Sequence, residues 1–424
     1  MHHLLHEVRR AASVAAGVVI YASLGSSYSI SAWNGQLKDA LNMTQPEIAF
    51  VSSCYSFGMY NTIWAGFFHD RFGTRWSMIV ALLLLTACYA LAAYLTAAPW
   101  LPKWYIALCF GSIGQAGGFA VVAGLAANEG IYGGRRRGAV IGLLLATYSA
   151  GGAIFACVYH GVYDHDVAEF FRFMSFEQAV MALLGLLLLI PPPSRRIKLE
   201  DEDIPLLPPA DDITLGALLA DERFWLLFVP VMVGVGSALF VLNNIAFLLE
   251  SYGRSSTLVP GYVSAFSVCN MGGRLAMGLI SDKFAASRTR AWFLSAGVVF
   301  MMLTQGIFLF VPASYLVVPI VCAGLAEGCI FAMFPVVTRE LFGAVHFGKN
   351  FGLISLANAV GFPLLLGPLS SFLYRWATPE GSATCFGPRC FTPTFLVMLL
   401  LCAVAFVASV RLQRHMHVFS PHTA

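Results

Sequence analysis

The stretch that decides the fold is Gly66–Arg75, GFFHDRFGTR, in which two glycines flank an Asp-Arg pair directly after a long apolar run. A related stretch, Gly278–Phe284 with the sequence GLISDKF, closes a second apolar run further along the chain. The aspartates of the two copies, Asp70 and Asp282, are 212 positions apart, which is half of the 424 residues. This spacing indicates that the chain consists of two related halves.

Composition places both halves in a membrane. Hydrophobic residues make up 58% of the chain and charged residues 11%, with a mean hydropathy of +0.75, whereas a soluble domain is typically about 25% charged. A helix needs about 20 apolar residues to cross a hydrocarbon core about 30 Å thick. Runs of that length predict an all-α membrane protein with twelve transmembrane helices in two pseudo-symmetric six-helix bundles. The predicted spans are 12–32, 46–68, 76–97, 104–127, 138–160, 174–192, 224–249, 259–280, 290–311, 314–337, 351–373 and 392–411.

The distribution of Lys and Arg predicts the orientation of these spans, because both residue types are retained on the cytoplasmic side. If both termini are in the cytoplasm, eighteen of the 25 Lys and Arg residues are cytoplasmic. One further residue, Arg274, lies inside a span. The other side carries six, namely Lys38, Lys103, Arg172, Arg254, Arg375 and Arg389. Arg9 and Arg10 lead into a full-length span without a cleavage site, so span one is expected to be its own targeting signal. We expect a multi-pass protein with cytoplasmic termini, in the plasma membrane or in an endosomal or vacuolar membrane.

A polar stretch between spans six and seven separates the two predicted bundles. It runs from Pro191 to Glu222 and combines a proline cluster with two acidic runs, a composition typical of a flexible linker. The predicted division is therefore 1–190, 191–222 and 223–424, with a short interfacial helix over 213–222. Within the linker, Glu202–Leu207 (EDIPLL) resembles an acidic dileucine signal that binds sorting adaptors, although a chance match is the alternative because Leu pairs are common.

The two repeated stretches predict a cytoplasmic gate. The glycine that opens each copy allows a neighbouring helix to approach closely. Each aspartate can accept hydrogen bonds from the N-terminus of a neighbouring helix, whose dipole favours negative charge. The basic residues that follow can form ion pairs on the same face, and such contacts must break before the conformation changes. The predicted gate residues are Gly66, Asp70, Arg71, Arg75, Gly278, Asp282 and Lys283.

The pattern Gly-x3-Asp-Arg-x-Gly-x-Arg, at the end of the second of twelve spans, resembles the signature loop of the major facilitator superfamily. In the second copy, Ala285 stands where the later glycine is expected. A finer resemblance is to the nodulin-like branch, which is similar to the monocarboxylate and oxalate/formate transporters. The residues that carry it are 28–41 (YSISAWNGQLKDAL), 270–282 (NMGGRLAMGLISD), 340–352 (ELFGAVHFGKNFG) and 385–391 (CFGPRCF).

The resemblance implies secondary active or facilitative transport of a small solute by alternating access, through a site near the midplane of the two halves. An organic anion such as a monocarboxylate, with a coupled proton, is the expected substrate. The alternatives are a transporter of haem, metal or another non-carboxylate solute, and a non-transporting solute sensor on the same fold. The sequence has no Walker loop, Gly-x-Ser-x-Gly elbow or His-Glu-x-x-His helix, so we expect neither ATP-driven transport nor an enzyme. The expected partners are the substrate and the lipid bilayer, without a cofactor, a metal or nucleic acid.

Two ionisable residues lie clearly inside predicted spans, where a charged side chain is costly and normally faces a protein interior or a cavity. They are Arg274 in span eight and Glu327 in span ten. In the similar monocarboxylate transporters, an Arg of the eighth span is implicated in binding the substrate carboxylate, and an acid four positions earlier in proton coupling. Arg274 matches that Arg, but Asn270, which does not titrate, stands at the position of the acid. Glu327 can pair with Arg274 or carry a proton; the alternative is that both residues are purely structural.

The polar residues of the first half are uncharged. Tyr28 on span one, Gln115 on span four and Tyr148 on span five can orient a substrate through hydrogen bonds. The alternative is that each of them holds two helices together, which is the commoner role of such residues in membranes. Gln115 occupies roughly the place in span four that Glu327 has in span ten.

Two cysteines differ from the others, which are mostly single and within spans. Cys385 and Cys390 share a loop that contains Pro and Gly on the predicted non-cytoplasmic side. A disulfide is expected there, because that side is oxidising in the secretory pathway. A metal site is less favoured, since no His or acid completes a ligand set nearby.

Overall fold

Helices make up the fold. The computed structural model describes residues 2–163, 166–191, 215–378 and 385–416, and no strand occurs within these ranges. A π-helical segment, Val360–Leu366, contains Pro363, whose missing N–H interrupts the regular hydrogen-bond pattern between two helices. The α-helices are α1 His2–Leu24, α2 Ile30–Ala40, α3 Gln45–Tyr60, α4 Ile63–Thr96, α5 Trp104–Asn128, α6 Arg137–Val162, α7 Val167–Leu188, α8 Leu215–Ala220, α9 Glu222–Asn243, α10 Ile245–Ser251, α11 Val259–Lys283, α12 Arg290–Phe310, α13 Val317–Phe342, α14 Phe347–Ala359, α15 Gly367–Ala377 and α16 Thr392–Gln413.

Within the described residues, eleven helical runs are long and apolar enough to cross a membrane. Ten of them correspond one to one with predicted spans. The remaining run, Glu47–Thr96, has 50 residues and contains predicted spans two and three. Gly73 lies inside it with a φ of +82° and a ψ of 179°, a conformation that only glycine adopts readily. The all-α multi-span class is therefore confirmed, whereas the count of twelve is not reproduced run for run.

The chain forms two compact units. The first consists of Met1–Glu202 together with Phe342–Leu356, and the second of Asp203–Leu341 together with Ala357–Ala424. The short segment Phe342–Leu356 comes from the second half of the sequence but belongs to the first unit. The two units therefore differ from the two predicted bundles in the assignment of this segment.

Each unit has its own aromatic core. In the first unit, the Trp33 ring stacks on Phe110 with centres 5.2 Å apart and meets Phe171 edge to face at 5.1 Å. In the second unit, Phe308 stacks on Phe395 with centres 4.3 Å apart. Aromatic pairs add to the stabilisation from burial, so these clusters hold helices that are distant in sequence against one another.

The linker is described only at its ends. Residues 192–214, including the sorting-signal candidate Glu202–Leu207, lie outside the described ranges. The predicted interfacial helix over 213–222 corresponds to α8, which has six residues. Asp221 follows it and accepts a hydrogen bond from the Arg223 backbone N–H at 2.8 Å, so Asp221 is the N-cap of α9.

Candidate functional site

Two helices of the second unit, α11 and α13, cross with their backbones in contact. A Cβ atom on Gly273 of α11 would overlap the carbonyl oxygen of Leu325, and one on Gly328 of α13 would overlap that of Asn270. Glycine therefore permits an approach that no other residue allows, as is common at helix crossings in membranes. The crossing places the polar residues of α11 directly beside those of α13.

Arg274, Glu327 and Asn270 meet at this crossing. Arg274 is 0% exposed, and its guanidinium carbon lies 4.1 Å from the centre of the Phe331 ring, which is within cation-π range. Glu327 is 2% exposed; its carboxylate is hydrogen-bonded by the Asn270 side chain and lies in the field of the Arg274 charge. The Glu327 Oε2 atom is buried and has no hydrogen-bond partner among the described residues. The structure thus unites the predicted residues of spans eight and ten, with one acceptor atom available for a proton or a ligand.

Two of the polar residues predicted in the first half also come together. The rings of Tyr28 and Tyr148 meet edge to face with centres 5.3 Å apart. The Tyr148 hydroxyl lies 2.9 Å from that of Ser27 and 3.1 Å from the Sδ atom of Met59. Gln115 lies on α5, and its buried Nε2 atom has no hydrogen-bond partner in the described part of the chain. No hydrogen bond between described residues joins Gln115 to the two tyrosines.

The internal repeat relates the polar residues of the two units. Gln115 and Glu327 are 212 positions apart, the same distance that separates the two gate aspartates. The same offset relates Thr62 to Arg274, and the Thr62 hydroxyl is buried without a hydrogen-bond partner among the described residues. Equivalent positions are therefore neutral in the first unit and charged in the second.

The first copy of the repeat contacts a helix N-terminus within the first unit. Asp70 accepts a hydrogen bond from the Gly348 N–H at 2.9 Å and another from the Lys349 N–H at 2.7 Å. Both donors lie in the first turn of α14, where free N–H groups and the helix dipole favour a negative charge. Gly66 allows this approach, since a Cβ there would overlap the Gly348 carbonyl oxygen. The His69 Nδ1 atom lies 3.6 Å from the Asp70 carboxylate.

The second copy is held by an arginine that the motif does not contain. Arg290, at the start of α12, is 4% exposed and donates hydrogen bonds to Asp282 at 2.6 Å and to the Ser281 hydroxyl at 2.7 Å. Its Nε atom also lies 3.4 Å from a Glu340 oxygen. Asp282 thus takes part in a buried ionic cluster, which sequence spacing did not indicate because Arg290 and Glu340 are 50 positions apart.

The predicted ion pairs of Arg71, Arg75 and Lys283 are wrong. All three side chains are exposed, and none forms an ion pair with a residue in the described ranges. Arg71 and Lys283 instead lie beside the rings of the residues that follow them, at 5.6 and 5.8 Å from the ring centres. The aspartates of the two copies have other partners instead, because Asp70 accepts hydrogen bonds from the first turn of α14 and Asp282 accepts one from Arg290.

Glu177 is a third ionisable residue inside a span, and it was missed. The sixth span was predicted to begin at 174, which put Glu177 at its edge, but α7 begins at Val167. Glu177 is therefore ten residues into the helix, about 15 Å along its axis. Its Oε2 atom accepts hydrogen bonds from the Ser23 hydroxyl at 2.8 Å and from the Gln178 amide at 3.0 Å. The position of Glu177 along the helix follows from the residue at which α7 begins, and the apolar run alone does not indicate that residue.

The loop before α16 is closed by a disulfide. Cys385 and Cys390 are bonded to each other, with Cα atoms 5.7 Å apart. The backbone N–H of Cys385 also donates to the Tyr374 hydroxyl at 3.1 Å. These contacts attach the described part of the loop to α15.

Two sequence profiles match the chain. The profile of the Major Facilitator Superfamily matches residues 15–300. A second profile, that of the NFD4 C-terminal domain, matches residues 210–420. Together they cover nearly the whole of both predicted halves.

Proteins that are similar to this chain agree with the two profile matches. The chain is 23% identical over 349 residues to the MFS-type transporter YhjX of Escherichia coli, which covers 81% of this chain and 83% of that protein. It is 22% identical over 367 residues to the oxalate:formate antiporter of Oxalobacter formigenes, covering 84% and 83%. Among solved structures, the proton:xylose symporter XylE superposes with a TM-score of 0.67 at 15% identity, covering 95% of each chain. At that identity the superposition shows the fold alone.

Proposed function

Since the chain belongs to the major facilitator superfamily and to its nodulin-like branch, we propose that it transports a small organic anion by alternating access. Family and fold indicate a transporter rather than an enzyme. The observation that carries the substrate class is the fully buried Arg274 at the α11–α13 crossing. One of the similar proteins is an oxalate:formate antiporter, which agrees with a carboxylate as the substrate.

The chemistry of Arg274 favours a carboxylate. A guanidinium binds a carboxylate through two parallel hydrogen bonds, and this geometry is more selective than a point charge. The ring of Phe331 holds the guanidinium plane from one side, so the direction in which its N–H groups point is restricted. A buried cation of fixed orientation can repay the cost of removing an anion from water.

Glu327 supplies the group for a coupled proton. A charged carboxylate at membrane depth is costly unless it is fully paired, and its Oε2 atom has no hydrogen-bond partner among the described residues. When Glu327 is charged, it competes with the substrate for Arg274; when it carries a proton, that competition disappears. Substrate and proton are therefore expected to bind together.

Counterflow in liposomes tests the proposal. Purified protein is reconstituted with an unlabelled solute inside, and entry of the labelled solute is measured for small mono- and dicarboxylates, a neutral sugar, haem and divalent metals. We expect counterflow with at least one carboxylate and none with the sugar. Counterflow restricted to a neutral solute, haem or metal would overturn the substrate class. Binding of a carboxylate without counterflow would identify a sensor instead.

We further propose that Asp70 and the start of α14 form a gate that opens during transport. In the orientation favoured by the positive charges, this contact lies on the cytoplasmic side. Asp70→Asn keeps the size of the side chain but removes the charge that faces the first turn of α14. We expect the transport rate to fall at least about tenfold while equilibrium binding of the substrate changes less than about twofold, because Asp70 is hydrogen-bonded to the first turn of α14 and not to Arg274 or Glu327. Binding and uptake are compared on the same preparation.

Asp39→Asn is the matched control for this variant. Asp39 is exposed on α2, and its charge is expected to have no part in the gate. Its transport rate should equal that of the unaltered protein. Equal losses of binding and transport in Asp70→Asn would assign Asp70 to folding rather than to gating.

A further inference from the structure

Exposed cations lie beside exposed aromatic rings in both copies of the repeated stretch. In the first copy, the guanidinium carbon of Arg71 lies 5.6 Å from the centre of the exposed Phe72 ring. In the second copy, the Nζ atom of Lys283 lies 5.8 Å from the centre of the exposed Phe284 ring. The two cations are 212 positions apart, as are the two rings. The same pairing therefore occurs in both halves of the chain.

A second exposed cation and an exposed tryptophan follow in each copy. Arg75 directly precedes Trp76, and the guanidinium carbon of Arg288 lies 5.4 Å from the centre of the Trp292 ring. Each compact unit thus carries one group of two cations and two rings. The first basic cluster consists of Arg71, Phe72, Arg75 and Trp76, and the second basic cluster consists of Lys283, Phe284, Arg288 and Trp292.

The chain itself does not neutralise these cations. None of the four forms an ion pair or a side-chain hydrogen bond with a residue in the described ranges. Arg290, in the same connection as the second basic cluster, differs from them because it is buried and paired with Asp282. The two clusters therefore keep their positive charges available for an anion from outside the chain.

Both clusters lie where the chain leaves the membrane and enters it again. The first surrounds Gly73, at which α4 bends inside a run that contains two predicted spans. At the second, α11 ends at Lys283 and α12 begins at Arg290, so six residues connect two spans. Connections this short hold their side chains at the level of the lipid headgroups, where tryptophan is also favoured. The clusters therefore meet the membrane surface.

We propose that each basic cluster binds one anionic phospholipid, with the cations on its phosphate and the exposed rings against its acyl chains. Lys and Arg form strong hydrogen bonds with phosphate oxygens. In the orientation that the positive charges favour, both connections lie on the cytoplasmic side, where the leaflet is rich in anionic lipid. The rings favour a lipid over a soluble phosphate, because a soluble phosphate has no apolar part to contact them.

The charges also determine which phospholipid binds. A zwitterionic lipid carries a cation beside its phosphate, which repels the Lys and Arg side chains and reduces the net attraction. Two cations in each cluster correspond to a roughly thirtyfold preference for anionic over zwitterionic lipid. The expected ligand is therefore a phospholipid with a net negative charge, such as phosphatidylserine.

Native mass spectrometry counts the bound lipids without a transport substrate, so its result is independent of the proposed function. The full-length protein is delipidated in detergent and mixed with equal amounts of phosphatidylserine and phosphatidylcholine that have the same acyl chains. We expect the unaltered protein to retain two phosphatidylserine molecules. Arg71→Gln with Arg75→Gln should retain one, as should Lys283→Gln with Arg288→Gln. Equal retention of the two lipids by the unaltered protein, or unchanged retention in both double variants, would overturn the proposal.

Arg414→Gln is the matched control for the loss of a cation. Arg414 is exposed at the end of α16, and its sequence neighbours include no Phe, Tyr or Trp. This variant should still retain two phosphatidylserine molecules. Loss of one of them would show that any exposed cation of this side binds lipid, and would overturn the assignment to the two clusters.

Two further measurements separate lipid binding from other roles. Glycerophosphoserine, the headgroup without acyl chains, should not displace phosphatidylserine at equal concentration; displacement would assign the clusters to a soluble phosphate and overturn the lipid. The unfolding temperature of the delipidated double variants should equal that of the unaltered protein, because the replaced side chains are exposed. A fall in that temperature would assign the cations to folding and overturn the proposal.

Discussion

Arg274→Lys is expected to lower the apparent affinity for a carboxylate at least about tenfold, which corresponds to about 1.4 kcal/mol of binding free energy. Lysine keeps the positive charge but lacks the planar guanidinium, which binds a carboxylate with two hydrogen bonds and stacks on an aromatic ring. Both properties are available here, because the guanidinium carbon lies 4.1 Å from the Phe331 ring centre. The concentration dependence of carboxylate counterflow measures the effect.

Arg288→Lys is the matched control. Arg288 also lies beside an aromatic ring, 5.4 Å from the centre of Trp292, but its side chain is exposed. This variant should transport with unchanged apparent affinity. If Arg274→Lys also keeps its affinity, bidentate recognition of a carboxylate is ruled out. A lower unfolding temperature without a change in affinity would show that Arg274 acts only in packing α11 against α13.

Gly273→Ala and Gly328→Ala are expected to destabilise the second unit and to abolish transport. In each case the added methyl group collides with a backbone carbonyl of the facing helix, so rotation of a side chain cannot relieve the clash. Overpacking of this kind costs about 1–3 kcal/mol. It also separates the two helices that carry Arg274 and Glu327. Thermal unfolding of the detergent-solubilised protein and counterflow in liposomes measure the two effects.

Gly272→Ala distinguishes packing from helix propensity. Gly272 is adjacent to Gly273 on α11, but a Cβ there would meet no atom within 4 Å. Alanine is the better helix former by about 0.8–1.0 kcal/mol in water, so the unfolding temperature of this variant should stay the same or rise. A similar fall in Gly272→Ala and Gly273→Ala would contradict the close crossing.

Much of the architecture follows from the sequence, because membranes permit few solutions. A span must be apolar over about 20 residues, and ten predicted spans have one helical run each in the described structure. The aspartates of the repeat and the placement of Arg274 and Glu327 inside predicted spans eight and ten were also predictable. The depth of Glu177 was not, because hydropathy locates an apolar run and not the first turn of its helix.

The sequence by itself determined the membrane class, the duplication, the family and two of the ionisable residues at membrane depth, since each depends on residues close together in the chain. Tertiary structure alone decided which of these residues meet. The bond from Ser23 to Glu177 spans 154 positions, and the bond from Gly348 to Asp70 spans 278. The ion pair of Asp282 is formed with Arg290. Arg71, Arg75 and Lys283, from which the gate pairs were expected, form none in the described ranges. The physical reason is that the partners of a buried charge depend on which helices cross beside it. Such a crossing forms only when two helices distant in sequence pack together, at positions where glycines such as Gly273 and Gly328 let their backbones touch.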